Sequence, residues 1–250
     1  MTHPAGPVAL AGSGEFLPVM EPVDAALLQG RPPRAAILPT AAALEGDERV
    51  AYWLDLGKRH YSGMGIEPVP IDVRDRADAD DPDKAALLEG VGLVYLSGGD
   101  PLHLTATLQG TRVWTAITEA WRQGAALAGC SAGAMALSAG APELPGRSGA
   151  ITVTAGQANG LGVVPGLAVM PHFDMIERYR PGAIERFAEW HPAGTVLVGI
   201  EENTVMVSRA EGGWDVHGDG AVWVLHGEER TKATAGDVLD LPGPEDALGR

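Results

Sequence analysis

Residues Gly124 to Gly140 read G-A-A-L-A-G-C-S-A-G-A-M-A-L-S-A-G. The apolar run that ends at Ala128 predicts a buried strand, and the small and apolar residues after Ser131 predict a short helix. Between them, residues 129–133 match the G-x-S-x-G pattern of a sharp strand-to-helix turn. Such a turn lifts its central serine out of the sheet, and a Cβ at either flanking glycine would collide with neighbouring strands. The pattern therefore predicts Ser131 as a nucleophile.

Apolar runs alternate with helix-like segments through the first half of the chain. The predicted strands are Val8 to Ala11, Ala35 to Leu38, Ile66 to Ile71, Leu93 to Leu96 and Ala125 to Ala128. The predicted helices are Glu48 to Tyr61, Asp83 to Glu89 and Thr111 to Gln123, with Gly124 as the C-cap of the last. Strands that alternate with helices indicate an α/β fold with a mostly parallel sheet and helices on both faces.

The second half of the chain changes pattern after about residue 165. Strand-like runs at Leu167 to Met170 and Val196 to Ile200 come first. Three alternating runs separated by Gly-rich turns follow, at Thr204 to Val207, Trp214 to Val216 and Ala221 to Leu225. This pattern predicts C-terminal antiparallel hairpins added to the sheet. Because no internal repeat or domain-length linker is found, residues 1–250 are expected to form a single domain.

The composition excludes several classes of partner. The formal net charge of −15 repels nucleic acid and anionic lipid, so neither nucleic acid nor membrane is an expected partner. No apolar run is long enough to span a bilayer, and a cytoplasmic protein is expected. With Cys130 as the only cysteine, neither an internal disulfide nor a thiolate metal cluster can form, and no metal or cofactor is expected. A homodimer is compatible with the sequence.

Two further backbone groups are candidates for an oxyanion hole. Leu93 to Asp100 reads L-V-Y-L-S-G-G-D, a buried strand that runs into two glycines. Ligands bind at the carboxyl ends of parallel strands, and a glycine there can present its backbone N–H to a substrate oxygen. We expect the N–H groups of Gly99 and Ala132 to stabilise an oxyanion. The alternative is that the two glycines form a plain turn.

A serine nucleophile needs a base, and the chain contains seven histidines. His172 follows a predicted strand in M-P-H-F-D, and we expect it to be the base. His103, near the two glycines, is the rival. Glu201 and Glu202 follow another predicted strand, and either could orient the imidazole of His172. Only one can do so, because adjacent residues of a strand point to opposite faces.

Cys130 is a competing nucleophile, since class I glutamine amidotransferases carry a cysteine on this kind of turn. Its register argues against it. The residue centred between the two glycines is Ser131, whereas Cys130 is expected to point into the sheet as a small apolar side chain.

At these residues the chain resembles the serine peptidases grouped as dipeptidase E and cyanophycinase, which share the class I glutamine amidotransferase-like (flavodoxin-like) fold. The resemblance covers most of the chain and rests on A-G-S-G-E at 11–15, S-G-G-D at 97–100, G-C-S-A-G-A at 129–134, H-F at 172–173 and G-I-E-E-N-T at 199–204. It implies Ser131, His172 and Glu202 as the catalytic set. It also implies a small peptide substrate, cleaved at an aspartyl or β-aspartyl residue through an acyl-enzyme.

The chain departs from cyanophycinases at two places. Pro101 stands where they usually have Gln, and Met170-Pro171 stands where they usually have Asp-Gln. The resemblance therefore leaves open whether cyanophycin itself is a substrate. A non-catalytic or amidotransferase-like binding protein on the same fold is the alternative function, because a fold does not fix an activity.

An acidic substrate needs local positive charge in a protein whose overall field opposes it. Arg178, Arg180 and Arg186 follow His172, in a region whose family counterparts include substrate-binding arginines. We expect Asp100, Arg178 and Arg180 to bind substrate, with the planar guanidinium groups matched to a carboxylate. The alternative is that these arginines are solvated surface charges, separated by a break at Pro181-Gly182.

Overall fold

The computed structural model describes residues 5–143, 153–227 and 229–245. In chain order its strands are β1 (Val8–Ala11), β2 (Arg34–Leu38), β3 (Glu67–Pro70), β4 (Leu93–Leu96), β5 (Ala126–Cys130), β6 (Leu167–Met170), β7 (Val196–Ile200), β8 (Thr204–Ser208), β9 (Trp214–Gly218), β10 (Ala221–His226), β11 (Glu229–Thr234) and β12 (Val238–Leu239). Its α-helices are α1 (Glu21–Leu28), α2 (Asp47–Gly63), α3 (Arg76–Ala79), α4 (Pro82–Ala86), α5 (Pro101–Leu108), α6 (Arg112–Arg122), α7 (Ala132–Leu137), α8 (Ile176–Tyr179) and α9 (Ala183–Trp190). Short 3₁₀ turns cover Pro18–Met20 and Thr40–Glu45.

The main sheet has eight strands in the order β12-β9-β8-β1-β5-β4-β2-β3. The strands from β1 to β3 in this order pair in parallel, whereas β8 pairs antiparallel with β1, β9 with β8 and β12 with β9. This confirms the predicted mostly parallel sheet with a C-terminal antiparallel hairpin added at one edge. Strand β5, which leads to Ser131, lies between β1 and β4 near the middle of the sheet.

A second sheet has the order β11-β10-β7-β6, with β6 and β7 parallel and the other pairs antiparallel. The sequence predicts β6, β7 and β10 but not β11, and it does not predict that these strands are separate from the main sheet. Residues 201–203 connect β7 of the second sheet directly to β8 of the main sheet. Hydrophobic periodicity identifies strands but not the sheet that each one joins, and this connection is too short to mark the change.

Helices cover both faces of the main sheet, as predicted. Successive side chains of a strand point to opposite faces, so Ala9 packs with α1 and α2, through residues such as Leu27 and Tyr61. Leu10, on the other face, belongs to the core that includes Ile117 of α6 and residues of α5 and α7. In residues 5–143, 153–227 and 229–245, the structure contains no helix with the length and hydropathy of a bilayer span.

Candidate active site

Ser131 lies at the turn between β5 and α7. Its backbone N–H donates to the carbonyl oxygen of Ala11 at 2.9 Å. A Cβ on Gly129 would lie 2.5 Å from the carbonyl carbon of Gly133, and one on Gly133 would lie 2.2 Å from the carbonyl oxygen of Leu96. Both distances are shorter than any real Cβ contact, so the turn requires glycine at the two positions that the G-x-S-x-G pattern singled out.

His172 reaches Ser131 from the second sheet. Strand β6 ends two residues earlier, and the N–H of Phe173 donates to the carbonyl oxygen of Ile200 at 3.0 Å, which fixes the segment against β7. The Nε2 atom of His172 lies 3.1 Å from Oγ of Ser131. The imidazole side chain is 30% exposed, so it borders both the protein interior and the solvent.

Glu202 completes a chain of three polar side chains. Its Oε1 lies 3.0 Å from Nδ1 of His172, and its own backbone N–H donates to Oδ1 of Asp174 at 2.9 Å. Glu201 points elsewhere: its two carboxylate oxygens accept the backbone N–H of Ala221 at 2.9 Å and the indole N–H of Trp223 at 2.7 Å. The structure therefore brings Ser131, His172 and Glu202 together, and it separates Glu201 from them.

The backbone around these residues is unusual. Of the non-glycine residues in the described ranges, Phe16, Ser131, His172 and Asn203 have positive φ angles, of 63°, 52°, 51° and 54°. Ser131 and His172 belong to the polar chain, and Asn203 follows Glu202 directly. Non-glycine residues rarely adopt positive φ, and such residues cluster at functional sites. Three of the four positive φ angles thus lie at or beside the predicted catalytic residues.

Gly99 and Ala132 both lie next to Ser131. Gly99 has φ of 143°, and a Cβ on it would lie 2.2 Å from the carbonyl oxygen of Ala41 in the Thr40–Glu45 turn. Only glycine fits there, and Gly99 lines the same two cavities as Ser131. Ala132 is the first residue of α7, where backbone N–H groups have no acceptor within the helix.

Cys130 is buried beneath this site. Its Sγ is fully inaccessible and donates to Oε2 of Glu15 at 2.8 Å. Burial and the neighbouring Glu15 carboxylate raise the pKa of the Cys130 thiol well above its usual range. A thiol that stays protonated and out of reach of substrate is a poor nucleophile, as its register in the sequence indicates.

Two cavities flank Ser131, and both are lined by Ser131, His172 and Gly99. The first has a volume of about 200 Å³. Its other walls are Met135, Pro171, Ile176, Tyr179, Arg180, Ala183 and Phe187. The second, which we call the α2 cleft, has a volume of about 490 Å³. It is bounded by Ser13, Gly14, Glu15, Leu17, Glu45, Arg49, Tyr52, Trp53, Leu56 and Gly98.

The residues expected to bind substrate are not all at these cavities. Arg180 lines the first cavity, whereas Arg178 is exposed on α8 and lines neither. Asp100 is buried as the N-cap of α5, where its Oδ1 accepts the N–H groups of Leu102 and His103 at 3.0 and 2.9 Å. The rival base His103 also lies elsewhere, since its Nε2 is 2.9 Å from the carbonyl oxygen of Arg74.

Tyr179 is a contact of the site that the sequence does not predict. Its hydroxyl donates to Oε1 of Glu202 at 3.2 Å, and its ring packs edge-on to His172 with centroids 5.9 Å apart. The hydrogen bond to the Glu202 carboxylate raises the pKa of Tyr179 above its usual value. In the sequence, only its position between Arg178 and Arg180 points to a role in the site. A single tyrosine outside any motif does not predict one.

Comparison with known proteins is consistent with this geometry. A sequence model of peptidase family S51 matches residues 8–213. The cyanophycinase of Trichormus variabilis (strain ATCC 29413 / PCC 7937) is 35% identical over 181 residues, which are 69% of this chain and 58% of the relative. The cyanophycinase of Thermosynechococcus vestitus is 33% identical over 173 residues, 66% of this chain and 51% of the relative. The chain thus spans little more than half the length of these curated relatives.

A solved structure matches over nearly the whole chain. The crystal structure of a peptidase from an acI-B1 actinobacterium superposes with a TM-score of 0.85 at 34% sequence identity. The match covers 96% of this chain and 99% of the actinobacterial one.

Proposed function

This chain belongs to peptidase family S51, and we propose that it is a serine peptidase that forms an acyl-enzyme on Ser131. The observation that carries the proposal is the continuous chain from Glu202 through His172 to Ser131, with contacts of 3.0 and 3.1 Å. A nucleophile, a base and a group that orients the base, each within hydrogen-bond reach of the next, form the arrangement of serine hydrolases.

The protonation states follow from the order of the contacts. With Nδ1–H of His172 donating to the Glu202 carboxylate, Nε2 is left as an acceptor facing the Ser131 hydroxyl. His172 takes the hydroxyl proton as Oγ bonds to the substrate carbonyl carbon. The same proton then passes from Nε2 to the leaving amine as the C–N bond breaks.

The negative charge of the tetrahedral intermediate needs donors close to Ser131. We assign this role to the backbone N–H groups of Gly99 and Ala132, which flank the nucleophile. Each such donor typically contributes about 10²–10³ in rate. Water, deprotonated by His172, then attacks the acyl-enzyme and releases Ser131.

The proposed substrates are peptides whose acyl residue carries a free carboxylate. This is the side-chain carboxylate at an aspartyl bond and the α-carboxylate at a β-aspartyl bond. Arg180 is the cationic side chain among the walls of the first cavity. The volume of this cavity, about 200 Å³, is that of a single small residue. A guanidinium group can bind a carboxylate through two parallel hydrogen bonds, which offsets the opposing field of an acidic protein.

Two measurements test the proposal. A fluorophosphonate probe should label Ser131 of the wild-type protein and should not label the Ser131→Ala variant. A panel of α-aspartyl, β-aspartyl and alanyl dipeptides should be hydrolysed with a clear preference for the aspartyl compounds. Labelling that is unchanged in the variant would refute the nucleophile, and equal rates for aspartyl and alanyl peptides would refute the acidic preference.

A further inference from the structure

We propose that the α2 cleft binds the leaving-group residue of the substrate and selects apolar side chains there. The inference rests on the proposed peptidase function and adds a second specificity site to it. Hydrolysis divides the substrate at Ser131, so its two parts must extend away from this residue in different directions. With Arg180 in the first cavity assigned to the acyl residue, the α2 cleft is the space open to the other part.

His172 supports this direction. The imidazole that donates a proton to the leaving amine must face the side of the site where that amine departs. His172 is a wall of the α2 cleft as well as of the first cavity. The cleft volume of about 490 Å³ is more than twice that of the first cavity, about 200 Å³, so the cleft has room for a whole residue with its backbone.

Part of the cleft wall consists of large hydrophobic side chains that are exposed. Leu17 is 42% exposed and Tyr52 is 47% exposed, and they are two of the six large hydrophobic side chains recorded as exposed in the described residues. Trp53 and Leu56 add apolar wall beside them. Exposed apolar side chains that gather in a concave surface mark a binding site, since water is released when a ligand covers them.

The apolar wall is held in place before any ligand arrives. The guanidinium carbon of Arg49 lies 5.2 Å from the ring centre of Tyr52 and 5.0 Å from that of Trp53. The same guanidinium is 3.3 Å from the Glu45 carboxylate. Glu45 is the last residue of the Thr40–Glu45 turn, which packs against Gly99. Contacts that restrict the rings before a ligand binds reduce the conformational entropy lost on binding, which favours affinity.

Charge narrows the choice of ligand. Glu15 and Glu45 both line the cleft, and the guanidinium of Arg49 is already paired with Glu45. An acidic leaving residue would therefore meet like charge, whereas an apolar one would cover Leu17 and Tyr52. The preferred substrate has an acidic acyl residue followed by an apolar leaving residue such as leucine or phenylalanine.

The test compares dipeptides that share one acyl residue and differ in the leaving residue: glycine, serine, leucine, phenylalanine and aspartate. For the wild-type protein, kcat/KM for the leucine and phenylalanine peptides should exceed that for the glycine peptide by about tenfold or more. Leu17→Asn and Tyr52→Ser should each reduce this ratio to about two or three, because the apolar wall that favours the larger side chains is removed. Leu87→Asn is the matched control, because Leu87 is 43% exposed and lies outside the cleft.

The outcomes separate the two proposals. Equal loss for all leaving residues, or an unchanged ratio in both cleft variants, would overturn the assignment of the cleft while leaving the peptidase function intact. Hydrolysis confined to peptides with a neutral acyl residue would refute the acidic preference alone, because the comparison of leaving residues can be made on those peptides. Absence of hydrolysis of every peptide, with no labelling of Ser131, would overturn both.

Discussion

The thiol of Cys130, the residue before Ser131, donates a hydrogen bond to the carboxylate of Glu15 at 2.8 Å. The other oxygen of the Glu15 carboxylate accepts the N–H of Gly98 at 3.0 Å. One carboxylate thus ties the end of β5 to the glycines that follow β4. Cys130 serves as a donor within this arrangement and is removed from chemistry.

This placement makes Cys130 a determinant of stability at alkaline pH and not of activity. The unfolded thiol ionises above about pH 8.5, whereas burial raises the pKa in the folded protein well above that value. The folded state therefore keeps a proton that the unfolded state loses, and the free energy of unfolding falls as pH rises past this point. The fall should be about 1.4 kcal/mol per pH unit until the folded thiol also ionises.

Urea unfolding of the wild-type protein and Cys130→Ala between pH 8 and 10 measures this difference. The variant should lack the part of the decline that the thiol causes, although the lost side chain lowers its stability at every pH. The same variant should retain peptidase activity and resist thiol reagents. Identical slopes for the two proteins would contradict the buried protonated thiol, and loss of activity would revive cysteine as the nucleophile.

Replacement of the nucleophile and the base should give non-additive losses. Ser131→Ala and His172→Ala should each lower kcat by about 10⁴-fold or more, and the double variant should be no worse than the single ones. Circular dichroism and thermal unfolding check that each variant folds. If the two losses multiply, His172 is not the base for Ser131.

The two adjacent glutamates should fail in different ways. Glu202→Gln should reduce kcat by about 10³–10⁴-fold, because the amide cannot stabilise the His172 imidazolium or fix its tautomer. Glu201→Gln should keep kcat within about threefold but lose about 1–3 kcal/mol of stability, because it weakens the bonds to Ala221 and Trp223. Steady-state kinetics and urea unfolding of both variants measure the contrast, and the reverse pattern would exchange the assignments.

Arg178 and Arg180, which the sequence predicts as substrate-binding residues, form a matched pair of variant and control. Arg180→Met should raise KM for aspartyl peptides by about tenfold to a hundredfold and change that for alanyl peptides little, because Arg180 lines the first cavity. Arg178→Met removes the same charge from an exposed site outside the cavities and should have an effect below about threefold. Equal effects of the two substitutions on KM would mean that only the general field of the protein matters.

Most of the main sheet was predictable because its strands are buried on both faces and so appear as continuous apolar runs. The runs at Val8–Ala11 and Leu93–Leu96 match the observed strands residue for residue. Helices α1 and α5 were missed. Helix α5 begins with Pro101 after the cap Asp100, and the sequence predicts a substrate contact at Asp100 but no helix after it. A capping aspartate and a binding aspartate look alike in sequence, since both follow a strand and a glycine turn.

The polar chain was found because each member follows a strand, and strand ends are visible in sequence. The contact of Tyr179 with Glu202 and that of Glu15 with Cys130 are not predictable from the sequence, because they depend on how segments that are distant in the chain pack near Ser131. Nor does any local pattern reveal that β6 and β7 form a separate sheet. Tertiary placement of this kind results from the packing of segments that are distant in the chain, and no hydrophobic periodicity in the sequence reports it.

Because φ is positive at Ser131, His172 and Asn203, selection for activity and selection for thermal stability favour different residues at these positions. A residue with a Cβ in such a conformation lowers the free energy of unfolding by on the order of 1 kcal/mol relative to glycine. Directed evolution for heat resistance or expression yield alone would therefore favour glycine at these three positions. Glycine at position 131 or 172 would remove the proposed nucleophile or its base, so a thermostabilised line of this protein must be screened for turnover at every round.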